Sequence, residues 1–98
     1  MQKREVLKLL GALKKRYSPK KMILFGSFAR GDIHELSDID VIIIKDTDKR
    51  FTDRIGDVLE LYDGDIPMDP FVYTPEEFER LKKTNSMMRR ALEEGVAI

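Results

Sequence analysis

The sequence predicts an α/β fold, a small mixed three-stranded sheet packed with helices, and three observations carry that expectation. Two short apolar runs, Met22-Ile23-Leu24-Phe25 and the β-branched stretch Ile39–Ile44, have the length of strands and are bounded by turn residues. The segments around them place apolar residues three and four apart, the period of an amphipathic helix. The two kinds of segment alternate along the chain, as in domains that cover a sheet with helices.

The elements follow in order. Val6, Leu9, Leu10 and Leu13 fall at i, i+3, i+4 and i+7 of an opening helix that Ser18-Pro19 ends. The first strand, residues 22–25, is stopped by Gly26-Ser27, and residues 28–31 form a short helix with Ser27 near its cap. The second strand is Ile39–Ile44, introduced by Ser37-Asp38. Phe51, Ile55, Val58, Leu59 and Tyr62 then mark a helix over residues 49–62, closed by Asp63-Gly64. A third strand over residues 66–73 is interrupted by Pro67 and Pro70, which points to a sheet edge. Thr74-Pro75-Glu76-Glu77 has the capping residue, the first-position proline and the third-position glutamate of a helix start, with Phe78 and Leu81 on the core side. A break at residues 84–86 precedes a last helix over residues 87–94, which Gly95 ends before an apolar tail, Val96-Ala97-Ile98.

The helix at residues 49–62 is long enough to serve as a right-handed crossover between parallel strands two and three, and the first and second strands are expected to run antiparallel. This topology brings the end of the first strand and the starts of the second and third to one rim of the sheet.

Length and composition bound the function. A chain of 98 residues suits one domain, residues 1–98, which buries roughly 60 to 68% of its unfolded surface and leaves no room for a separate acceptor-binding domain. The lack of cysteine excludes disulfides, thiolate zinc sites and a cysteine nucleophile, and agrees with a cytoplasmic protein. No apolar run approaches the roughly 20 residues of a membrane span, and residues 1–5 lack a signal-peptide core. The formal net charge of zero conceals a division along the chain. Residues 1–30 carry nine Lys or Arg against Glu5 alone, whereas residues 31–69 carry twelve acids against four bases. An acidic centre beside a basic flank suits divalent cations and a polyphosphate.

The candidate site lies on the rim. Asp38 and Asp40 stand two apart, so both side chains face the same way; such a pair resists joint ionisation unless a cation compensates it, and hard oxygen donors favour Mg2+ or Mn2+. Metal-dependent phosphatases also use Asp-X-Asp, but at the carboxyl end of their strand, whereas here the pair opens it. The glycosyltransferase version belongs to much larger domains. Asp69, on a parallel third strand, completes a carboxylate triad able to hold two metal ions for in-line displacement at phosphorus. Gly26 lets the backbone approach a ligand, Ser27 and the following helix start attract anionic oxygens, and Arg30, one turn on, can pair with a triphosphate. His34 precedes the aspartates but is left out of the set. No phosphate-loop sequence of the ATPase type and no Gly-X-Gly-X-X-Gly is present.

Gly26-Ser27-Phe28-Ala29-Arg30-Gly31, followed after ten residues from Ser27 by Asp38-Ile39-Asp40-Val41, resembles the signature of the DNA polymerase beta nucleotidyltransferase superfamily. Within it the chain is most similar to the minimal nucleotidyltransferases. The resemblance implies that Asp38, Asp40 and Asp69 bind the metal ions and that Gly26 and Ser27 hold the triphosphate of ATP. It also implies that the chain acts as antitoxin to a helical HEPN-type toxin by transferring AMP to it. Transfer to a small molecule or a nucleic acid end, a non-catalytic nucleotide-binding module and self-association stay open. Pro70, directly after the third acid, departs from the family pattern, where a residue with an N–H is more usual.

Overall fold

The computed structural model describes residues 3–32 and 37–98. Its elements are α1 (Lys3–Tyr17), β1 (Lys21–Phe25), α2 (Ser27–Arg30), β2 (Ile39–Ile44), α3 (Phe51–Leu61), β3 (Met68–Tyr73), α4 (Pro75–Thr84), α5 (Ser86–Glu94) and β4 (Val96–Ala97). The sheet has four strands in the order β3-β2-β1-β4, so the expected three-stranded sheet gains a member. Val96 and Ala97, read from the sequence as a tail, pair antiparallel with Leu24 and Ile23. Two residues are too few to show alternation, which hid this strand. Gly95 makes it possible by close approach: a Cβ there would collide with the Ala91 carbonyl oxygen and would lie 2.5 Å from Ile23 Cγ2.

β1 and β2 pair antiparallel and β2 and β3 pair parallel, as the topology required. Alternation along the strands divides the interior into two layers. Val41 and Ile43 of β2, with Met22 and Leu24, pack against Val6, Leu10, Leu13 and Tyr17 of α1, Phe28 of α2 and Val58 of α3. Ile42 and Ile44, with Ile23, pack against Phe78 of α4 and Met88 and Ala91 of α5. Helices thus cover both faces of the sheet, and β2, buried along nearly its whole length, is its centre.

Two helix readings shift. The buried side of α3 carries Arg54 and Val58, whereas Phe51 and Leu59, assigned to the core stripe from the sequence, are 40% and 44% exposed. The stripe sits about one position away because a buried arginine interrupts its apolar pattern. α3 also ends on Tyr62 in extended conformation rather than on a left-handed glycine, so Gly64 has no capping role. The start of α4 matches expectation fully: Thr74 Oγ1 accepts from the Glu77 N–H and the Glu77 carboxylate accepts from the Thr74 N–H. Asn85 separates α4 from α5 and caps the latter, its side chain accepting from the Met88 N–H at 3.0 Å. No helix among the described residues is long and apolar enough to cross a membrane.

Candidate active site

The register of the sheet assembles the site. Asp40 is the residue opposite Phe25 on β1 and beside Asp69 on β3. By alternation Asp40, Asp69 and Phe25 share the face occupied further along by Ile23, Ile42 and Phe71. Asp38 lies just before β2 and is exposed, as is Asp69, while Asp40 is half-buried. Their charges reach one another: burial, then the negative charges of Asp69 and Asp38, hold the Asp40 carboxyl above the usual carboxylate range, and Arg30 pulls it back. The three carboxylates and Arg30 therefore form one electrostatic unit. The three carboxylates are not drawn into a closed ligand set; among the described residues no such group of His, Cys, Asp or Glu exists.

Gly26 turns the chain out of β1 directly over Asp40. Its φ of 73° belongs to the left-handed region, which disfavours side chains, and a Cβ would stand 2.5 Å from Asp40 Oδ2. Space and backbone geometry demand glycine independently. Gly26→Ala should accordingly push the Asp40 carboxylate aside and strain the turn, costing about 1 to 3 kcal/mol of stability, which thermal unfolding checks.

α2 is a single turn in which the Ala29 and Arg30 N–H groups both bond to the Gly26 carbonyl at 3.1 Å. It begins at Ser27, one residue earlier than the sequence suggested, and Gly26 is its cap, with no side-chain capping bond. Ser27 is thus the first residue of the turn. A helix this short has little dipole, so an anion drawn to this turn would meet chiefly the leading N–H groups and the Ser27 hydroxyl. The Arg30 side chain ion-pairs with Asp32 at 3.3 Å and with Glu94 at 3.8 Å, and is about half exposed. Pro70, the departure from the family pattern noted in the sequence, pairs with Val41 without interrupting the strand. β3 is an edge strand, the pairing of Asp69 with Asp40 is undisturbed, and Pro70, opposite Val41 within the ladder, has its missing N–H on the side away from β2, since Pro67 and Tyr73 are the residues that accept from β2 and its end. His34 lies outside the described residues.

Residues 6–98 match the family model described as "Nucleotidyltransferase domain". The chain belongs to the nucleotidyltransferase domain family, within the DNA polymerase beta superfamily. A Methanocaldococcus jannaschii protein, named provisionally as a protein adenylyltransferase, is 39% identical over 97 residues, which cover 96% of this chain and 94% of that one. A solved structure from Sulfolobus solfataricus, described provisionally as a nucleotidyltransferase, has a TM-score of 0.67 and 24% identity, covering 97% of this chain and 80% of that one. At that identity the likeness shows the shared fold.

In this nucleotidyltransferase domain two features escaped the sequence reading. Phe25 and Phe71, each two residues or fewer from a candidate site residue, pair with ring centroids 5.8 Å apart on the face of Asp40 and Asp69. Their partnership depends on the register between β1 and β3 across β2, which no local spacing reveals. Arg54 anchors the far end of β3 through the Val72 carbonyl at 3.1 Å and Glu77 at 2.7 Å, holding the strand that carries Asp69. Its position within the α3 periodicity, four residues before Val58, was the available signal.

Proposed function

We propose that this nucleotidyltransferase domain transfers AMP from ATP to a hydroxyl of a separate protein and releases pyrophosphate. The observation that carries this reading is the register that sets Asp40 between Asp69 and the Gly26 turn, so that an acid pair and a phosphate-accepting turn meet at one rim. The protein acceptor is supported by the 39% identity to the M. jannaschii relative. The resemblance to minimal nucleotidyltransferases points to a HEPN-type toxin as the acceptor, to an antitoxin role and to the cytoplasm as the setting.

The donor set fits a hard divalent cation: it offers only carboxylate oxygens, and their mutual repulsion is already felt at Asp40. Magnesium characteristically takes one or two carboxylates plus substrate phosphates rather than a closed protein cage. A rim of spaced acids agrees with that habit. Asp38 and Asp40, with Asp69, would hold Mg2+ or Mn2+, two ions in the full arrangement, and the cation supplies charge neutralisation at the phosphates when bound.

The chain's own groups then divide the work. The Gly26-Ser27 turn orients the β- and γ-phosphates. Asp69 accepts the acceptor's hydroxyl proton, since a hydroxyl at its free pKa is a poor nucleophile. The acceptor oxygen forms a bond to the α-phosphorus; the bond from that phosphorus to the bridging oxygen breaks, and its electron pair leaves with pyrophosphate.

Two measurements test the reading. Label from ATP marked at the α-phosphorus should enter a co-expressed partner protein, while label at the γ-phosphorus should stay in pyrophosphate; entry of γ-label would mean phosphoryl transfer instead. Ser27→Ala removes a hydrogen bond to a charged oxygen, a loss of about 1.5 to 3 kcal/mol, or roughly 10- to 150-fold in ATP affinity. AMP affinity and the melting temperature should change little, because Ser27 is the first residue of α2 and the cap is Gly26. Equal weakening of ATP and AMP in calorimetric titration would remove Ser27 from the triphosphate site.

A further inference from the structure

α2 is one turn of helix, and one turn does not hold itself, because fixing the first turn costs more than its few hydrogen bonds return. The Ala29 and Arg30 N–H groups share the Gly26 carbonyl, and the Gly31 and Asp32 N–H groups share the Ser27 carbonyl. What keeps the turn in place comes from elsewhere in the fold. Phe28, 2% exposed, anchors it in the core beside Val6 and Leu10 of α1. From the start of α1 the Lys3 ammonium donates to the Ala29 carbonyl at 3.2 Å, across 26 positions of sequence. On the other side Arg30 reaches Glu94 of α5 at 3.8 Å, a pair exposed at both ends and too loose to fix a backbone. The apolar anchor sets the depth of the turn but leaves rotation about it cheap, whereas a hydrogen bond is directional. Lys3 therefore sets the attitude of α2.

We propose that Lys3 is a positioning residue for the phosphate turn: by holding the Ala29 carbonyl it keeps the Ser27 hydroxyl, the leading N–H groups of α2 and the Arg30 side chain in the arrangement that a triphosphate requires. Its place in the sequence agrees. Lys3 is the first residue of α1, where the positive end of the helix dipole disfavours a cation, so its charge does not serve the helix that carries it. The contact it makes is with α2. Because Lys3 acts through the turn that holds the β- and γ-phosphates, its loss should weaken ATP and leave AMP, which lacks both phosphates, nearly untouched.

The proposal rests on the adenylyl-transfer reading, and the test separates the two. The full chain with magnesium is titrated in a calorimeter with an α,β-methylene analogue of ATP, which cannot release pyrophosphate, and separately with AMP, while backbone amide resonances are followed in parallel samples. The analogue should bind wild type and shift Gly26 and Ser27; if it does not, the nucleotide site and this proposal fall together. Given those shifts, Lys3→Met, which keeps the aliphatic stem, should weaken the analogue by about 3- to 10-fold, the scale of one hydrogen bond, and change AMP little. The amide resonances of Ser27 to Arg30 should move in the free variant, before any nucleotide is added. Its melting temperature should stay near wild type, since the bond lost to α2 is offset by removal of a cation from the start of α1. Lys3→Arg, which can still donate to a single carbonyl, should recover most of the analogue affinity. An unchanged analogue affinity in Lys3→Met, an equal loss for AMP, or no recovery in Lys3→Arg would overturn the proposal while leaving the nucleotide site intact.

Discussion

Replacing Asp40 with asparagine is expected to abolish nucleotidyl transfer and, at neutral pH, to raise the melting temperature. The two outcomes share one cause. Asp40 is half-buried and flanked by Asp69 and Asp38, so its charge is costly in the folded state, and its carboxyl is held above the usual range. A carboxylate with a raised folded pKa binds its proton more tightly folded than unfolded. Stability therefore falls as pH climbs from the ordinary aspartate value through the raised one, and stays lower above it. Asparagine carries no charge and should lose that descent, matching wild type in acid and exceeding it at pH 7. Transfer should drop by about a thousandfold or more, since the cation site proposed for it would be worth several kcal/mol at the transition state. Asp38→Asn should lose transfer similarly with a smaller gain in stability, because Asp38 is exposed and ranks below Asp69 among the charges acting on Asp40. Thermal melts across pH, run beside a label-transfer assay, check both halves.

The second large effect is structural. Arg54 is 6% exposed and serves three acceptors: Nε donates to the Lys49 carbonyl at 2.9 Å, and one terminal nitrogen reaches the Val72 carbonyl and the Glu77 carboxylate. Glu77 also closes the capping box of α4, so one cation ties the start of α3, the end of β3 and the start of α4 together. Arg54→Ala strands a carboxylate and two carbonyls. Breaking a buried pair this way costs about 3 to 5 kcal/mol, and the partial exposure of Glu77 places the expectation at the lower end. For a domain of this size that is a fall of about 12 °C or more in melting temperature. Arg54→Met with Glu77→Gln, which leaves no unpaired charge, should cost clearly less.

The acid limb of the stability curve gives a second readout of the same pair. The hydrogen bond from Arg54, followed by the Thr74 N–H, holds the Glu77 carboxyl below its ordinary value despite some burial. Its contribution is therefore complete above the unfolded glutamate range and lost as pH falls through the lowered folded value. In Arg54→Met that part of the acid loss should shrink. Because Glu77 lowers stability in acid when protonated and Asp40 lowers it when charged, wild type and the two variants should give three distinct profiles.

Much of this was legible in the sequence, for reasons that differ by element. β1, β2 and the start of α4 announced themselves because each is encoded locally, by an unbroken apolar run or by cap, proline and glutamate at fixed offsets. The candidate rim followed from topology alone: once β2 and β3 are parallel and β1 antiparallel, Gly26, Asp40 and Asp69 have no other place to go. What stayed hidden was non-local. β4 exists because Gly95 lets two residues lie against β1, and the face of α3 was misplaced because Arg54 is buried by partners far along the chain. The Phe25 and Phe71 pair is invisible until three strands are in register. The raised Asp40 carboxyl is non-local too: it reflects burial first and then a neighbour 29 positions away, Asp69, brought beside it by the sheet.

Intact-mass spectrometry of a partner protein co-expressed with this chain tests the central claim most directly. With wild type the partner should gain the mass of one or more AMP units, and with Asp69→Asn it should be recovered unmodified although the variant still binds ATP. A partner that stays unmodified with wild type, while the chain alone efficiently labels a small molecule or an RNA end from α-labelled ATP, would contradict the protein-acceptor account.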